Sequence, residues 1–106
     1  ATWPGTYAGE GDGDVTLEVA AARPDGKYPV SLSTSTARTG GLCSGAIEGL
    51  GVASDTELRI KVDVEGLNCE AVARRKGAQI EIEEGPGCNA FHGAACGFEA
   101  SLQRKK

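Results

Sequence analysis

Residues 56–65 have the sequence TELRIKVDVE, and no other part of the chain shows its secondary structure as clearly. Apolar side chains occupy every second position from Leu58 to Val64, and charged side chains occupy the positions between them. Successive side chains of a β-strand point to opposite faces of the sheet. The pattern therefore predicts a strand with one face in an apolar core and the other in water.

The same alternation recurs along the chain in shorter runs. Four of them are residues 15–21, 28–32, 78–82 and 98–102. Three more strands are expected at residues 3–8, 42–50 and 69–75. Turns rich in glycine, proline and aspartate separate these segments, as they do between neighbouring antiparallel strands. The sequence thus predicts an all-β protein, a small antiparallel up-and-down barrel of about eight strands, with a β-sandwich as the alternative.

The length of 106 residues suits one domain with one core, and we expect a single domain over 1–106. The sequence begins at Ala1 and has no apolar run long enough for a signal or membrane helix. This pattern is typical of a mature exported protein. The sequence leaves the oligomeric state open, a dimer included.

Four cysteines, an even number in a small chain, indicate a disulfide framework and an oxidising compartment, either the periplasm or the extracellular space. Four cysteines allow three pairings, and the sequence does not choose among them. We prefer the pairing of Cys88 with Cys96, which closes a short loop. It leaves Cys43 to pair with Cys69, both at the mouths of predicted strands.

The net charge of −4 and the isoelectric point near 4.9 favour a basic protein as the partner. They disfavour nucleic acid and anionic membranes, which carry the same sign of charge. Aromatic residues are too few for a base-stacking platform, and no phosphate-binding glycine loop is present.

The sequence contains no recognisable catalytic motif. His92 is the sole histidine, and no nucleophile motif surrounds it. The spacing of Cys88, His92 and Cys96 matches no common zinc pattern. We therefore expect a protein that is not an enzyme and has no metal or other cofactor.

Five segments together resemble a known family. They are residues 3–7 (WPGTY), 28–33 (YPVSLS), 43–45 (CSG), 47–49 (IEG) and 88–98 (CNAFHGAACGF). These segments are similar to small periplasmic proteins of Gram-negative bacteria that are inhibitors of c-type lysozyme, and the resemblance spans nearly the whole chain. It implies a small β-barrel that pushes a loop into the lysozyme cleft.

The residues predicted to contact the partner come partly from the resemblance and partly from the expected loops. Ser44 and Gly45 match the start of the family's Ser-Gly-x-x-Tyr loop, although Glu48 stands where the tyrosine is expected, so other loops should contribute. The predicted contact residues lie beside the polar stretch 34–41, which we expect to be an exposed loop, and in the segment between the last two cysteines. They are Arg38, Ser44, Gly45, Phe91 and His92.

The first functional hypothesis is a periplasmic inhibitor that binds c-type lysozyme and occludes its cleft without chemistry. The alternative is a barrel of the cell envelope that binds a small ligand or glycan in its mouth. A third reading is an envelope-associated domain with no dedicated ligand. A barrel filled by Leu58, Ile60, Val62 and Phe98 would count against the ligand-binding alternative.

Overall fold

The computed structural model of the protein describes residues 3–11, 13–38, 41–85, 87–91 and 97–105. Its strands are β1 Gly5–Gly11, β2 Asp14–Val19, β3 Tyr28–Arg38, β4 Gly41–Ala53, β5 Glu57–Val64, β6 Leu67–Lys76, β7 Gln79–Glu84 and β8 Ala100–Arg104. Each strand pairs antiparallel with the next, and β8 pairs back with β1 to close a barrel of eight strands. The predicted up-and-down barrel is confirmed, and the sandwich alternative is not what the chain forms.

The alternation of charged and apolar residues in β5 places three of its apolar side chains in the core and the charged side chains between them in water, as predicted. Leu58, Ile60 and Val62 are at most 3% exposed, and Arg59 and Lys61 between them face water. Inward-facing side chains of the other strands meet them inside the barrel, and Phe98, just before β8, is fully buried among them. The interior is a packed apolar core, which is the arrangement that counts against a ligand in the mouth of the barrel.

Closure depends on the close approach of β1 and β8. A Cβ at Gly9 would overlap the carbonyl oxygen of Ser101, and one at Gly11 would overlap that of Glu99. Glycine at both positions lets the first strand lie against the last. The guanidinium of Arg104 reinforces the contact because it donates to the Tyr7 hydroxyl at 2.7 Å.

Trp3 covers one end of the barrel. Its side chain is 3% exposed and its indole N–H donates to the carbonyl oxygen of Ser54 at 3.3 Å. The guanidinium carbon of Arg75 lies 4.1 Å from the centre of the indole ring, which is a cation–π geometry.

Residues 34–38 and 41 of the polar stretch belong to strands, so the expectation of an exposed loop is wrong for them. β3 continues to Arg38 and pairs with β4 as far as the match of Arg38 with Gly41. Thr34 faces the interior and is 2% exposed, while Ser33 and Ser35 face out. Because the side chains on both faces of this segment are polar, its sequence shows no alternation of apolar and polar residues that would predict a strand. Threonine itself favours strands.

The preferred disulfide pairing is also wrong. Cys69 of β6 is bonded to Cys88, with the two Cα atoms 4.5 Å apart. A short 3₁₀ helix, Cys88–Phe91, begins at Cys88 and packs against β6 and β4. This packing brings the sulfur of Cys88 to Cys69 on β6. Cys96 lies outside the described residues. Because Cys69 and Cys88 are joined, a second bond within the chain would join Cys43 and Cys96.

An ion-pair network covers the outside of β5, β6 and β7. Arg74 donates to Glu57 at 2.8 Å and also pairs with Glu83. Arg59 lies 3.4 Å from both Glu57 and Glu70. The hydrogen bond from Arg74 lowers the pKa of Glu57 from its ordinary value, with burial opposing the shift, and the bonds from both carboxylates raise the pKa of Arg74.

The disulfide assignment can be tested by peptide mapping without reduction. Trypsin leaves Cys88 and Cys96 in one peptide, so the observed bond plus a Cys43–Cys96 bond would link three tryptic peptides into one species. Chymotryptic cleavage after Phe91 should then release separate 69–88 and 43–96 linked pairs. A looped peptide holding Cys88 bonded to Cys96 would contradict the structure.

The Glu57 ion pairs predict a dependence of stability on pH. A carboxyl whose pKa is lowered by folding adds stability above its unfolded pKa, near 4.3, and loses that contribution as pH falls through the folded pKa. Glu57→Gln should therefore lower the urea midpoint at pH 7, and its deficit relative to wild type should shrink at pH 3. Glu48→Gln, at an exposed position outside the network, is the control at pH 7. An equal deficit at both pH values would contradict the assignment.

Candidate functional site

The up-and-down topology sorts the connections between strands to two ends of the barrel. The β1–β2, β3–β4, β5–β6 and β7–β8 connections lie at one end, here called the hairpin end. The other connections lie with the start of β1 and the end of β8 at the opposite end, here called the terminal end, which Trp3 covers. Residues far apart in the sequence therefore share one surface.

Acidic residues are concentrated at the hairpin end. Those within its connections or the last two residues of the adjoining strands are Glu10, Asp14, Asp63, Glu65, Glu83, Glu84 and Glu99. By the same criterion Arg38 is the one basic residue there within the described ranges. We call this set of carboxylates the acidic rim.

The terminal end has the opposite character. Its basic residues by the same criterion are Arg23, Lys27, Arg75, Lys76, Arg104 and Lys105. Its acidic residues are Glu18, Asp25, Asp55 and Glu57. The protein is therefore an electric dipole along the barrel, a property that the overall charge of −4 does not show.

A groove on the outer wall continues the acidic surface. It crosses β7, β8 and β1 near the hairpin end and has a volume of about 410 Å³. Glu10, Glu81, Glu83 and Glu99 line it. Glu10 and Glu81 both pair in register with Ser101, so two carboxylates flank one hydroxyl on neighbouring strands. Glu81 pairs with Lys76 and Glu83 pairs with Arg74, so Glu10 and Glu99 contribute most to the attraction of this surface for cationic side chains.

The predicted contact residues lie toward this same end as far as they are described. The backbone of Arg38 ends β3 there, opposite Gly41. Ser44 faces water near the start of β4 and pairs with Ser35, while Gly45 pairs with Thr34. His92 lies outside the described residues.

Phe91 is partly buried and packs against the core. It ends the 3₁₀ helix that Cys88 begins, so the disulfide to Cys69 holds the segment against the barrel. This packing shows that Phe91 covers part of the core, while its contact with a partner stays a prediction.

The sequence pattern does not predict the exposure of two apolar residues at the hairpin end. Alternation places Val64 in the core with the rest of β5, yet it is 46% exposed. Leu67, which lies between the predicted strands 56–65 and 69–75, is 49% exposed and pairs directly with Val64. Two apolar residues flanking a two-residue turn at a strand end were the available signal, because a hairpin tip lies beyond the core.

Within the described ranges, no group of three or more histidine, cysteine, aspartate or glutamate residues is arranged to hold a metal ion. The same ranges contain no helix with the length and apolarity to cross a bilayer. Comparison with protein-family models, with curated proteins and with solved structures finds no match.

Proposed function

We propose that this protein binds a cationic protein at its hairpin end, and that the partner is a c-type lysozyme whose active-site cleft it occludes. The observation that supports this function best is the acidic rim at the end of the barrel opposite the basic terminal end. The resemblance of segments 3–7, 28–33, 43–49 and 88–98 to lysozyme inhibitors names the partner.

The charge distribution suits encounter with a basic protein. Complementary potentials orient two proteins before contact and raise the association rate above that of uncharged surfaces, which is about 10⁵ to 10⁶ M⁻¹s⁻¹. A dipolar protein with carboxylates at one end approaches a cation with that end forward. The hairpin end would thus meet the lysozyme first.

A rigid scaffold supports the same function. Strand pairing continues around the whole barrel, and the Cys69–Cys88 bond fixes the 3₁₀ helix to β6. Loops and strand ends held in one conformation lose little entropy on binding. Arg38, Ser44, Gly45, Phe91 and His92 remain the predicted contacts from the sequence.

The packed interior weakens the ligand-binding alternative. Leu58, Ile60, Val62 and Phe98 are all at most 3% exposed, which leaves the mouth of the barrel filled by side chains. The disulfide supports a periplasmic or secreted location, because such bonds persist in oxidising compartments.

Inhibition of a c-type lysozyme tests the proposal. Lysis of peptidoglycan by the lysozyme should fall to near zero when the protein is added at a 1:1 molar ratio. Isothermal titration should give the same stoichiometry. Full lytic activity in the presence of a large molar excess of the protein would sink the proposed function.

The role of the acidic rim can be tested with two charge-matched double variants. Glu10→Gln/Asp14→Asn acts at the hairpin end, and Glu18→Gln/Asp55→Asn makes the same change at the terminal end; each removes two negative charges. At low salt the first should slow association with lysozyme by about three- to tenfold, and the second should change it less than twofold. High salt should abolish the difference. Equal slowing by both variants would show that the association rate depends on the net charge and not on which end of the barrel carries it.

A further inference from the structure

The tip of the β5–β6 hairpin exposes apolar side chains that the fold does not use. Along the inward-facing rows of these strands, Val62 and Cys69 are each 3% exposed. The next pair in the same rows, Val64 and Leu67, is 46% and 49% exposed. Val64 and Leu67 lie directly opposite each other, so they form one apolar surface at the hairpin end.

Glu65 and Gly66, the two residues of the turn that joins them, are exposed. Glu65 and Gly66 have φ angles of 51° and 83°, the positive values that two-residue turns of type I′ require. A Cβ built on Gly66 meets no atom within 4 Å. The turn is therefore open to a partner from its outer side.

The base of the hairpin is fixed. Val62 pairs with Cys69, and Cys69 is bonded to Cys88. The apolar tip therefore lies two residue pairs beyond a covalent crosslink to the 3₁₀ helix. An exposed apolar surface on a rigid support is suited to act as a binding anchor. Its backbone is already ordered in the free protein, so little conformational entropy is lost on binding.

The charges around the tip indicate which kind of partner would bind to it. Asp63 and Glu65 flank Val64 and belong to the acidic rim. A second copy of this chain docking tip to tip would bring these carboxylates against their own equivalents. A cationic protein would instead pair with them.

We propose that Val64 and Leu67 are the apolar anchor of the complex, entering an apolar site on the lysozyme that is edged by basic side chains. The inference rests on the proposed function and adds the segment that makes the central contact. Asp63 and Glu65 meet the basic edge of that site, while the two apolar side chains lose their water.

The test uses Val64→Thr/Leu67→Thr and a matched control. Threonine has the β-branched shape of Val64 and favours strands at both positions, so the hairpin should form in the double variant. Val52→Thr is the control, because Val52 is 52% exposed on the outer face of β4 near the terminal end. Binding of the full-length variants to a c-type lysozyme is measured by isothermal titration, and melting temperatures establish that the variants are folded.

We expect the double variant to lose at least tenfold in affinity, Val64→Thr alone to lose severalfold, and Val52→Thr to change less than twofold. Wild-type affinity in a folded double variant overturns the anchor while leaving lysozyme binding intact. Absence of binding by the wild-type protein overturns the proposed function and the anchor with it. A wild-type dimer in sedimentation that the double variant converts to monomer would assign the tip to a second copy and overturn the inference.

Discussion

Pairing of the first strand with the last is the constraint on which the rest of the structure depends. It requires glycine at positions 9 and 11, where β1 approaches the backbone of β8, and it is reinforced by the Arg104–Tyr7 hydrogen bond. Closure leaves no open edge at either chain terminus and surrounds a single apolar core. It also fixes which connection lies at which end, because each strand runs opposite to its neighbours.

Because the connections are sorted in this way, negative and positive charges are separated along the barrel although the net charge is modest. The carboxylates of the acidic rim come from three separate connections, and only the closed topology brings them to one end. The apolar tip of the β5–β6 hairpin lies within that rim, rooted at the Cys69–Cys88 bond. An exposed apolar surface flanked by carboxylates has the general form that we propose for the interface, with a dehydrated centre and a polar edge.

Much of the fold could be predicted because one face of most strands is apolar. The alternation in residues 56–65 and its shorter repeats gave the strand number and the barrel. The polar part of β3 escaped, because its inward-facing Thr34 and Thr36 give no contrast of hydrophobicity with Ser33 and Ser35. The pairing of Cys69 with Cys88 escaped because it depends on where the 3₁₀ helix packs, which is a tertiary contact. Val64 was predicted in the core because alternation carries no information on where the barrel ends.

Direct mapping of the bound surface tests the central claim, that the hairpin end docks a cationic lysozyme. Amide chemical shifts of the ¹⁵N-labelled protein would be followed during titration with an unlabelled c-type lysozyme. The account predicts the largest changes in the β5–β6 hairpin and the β1–β2 turn, with Ser54, Lys76 and Arg104 at the terminal end unaffected. Changes centred on the terminal end, or no changes at saturating lysozyme, would contradict it.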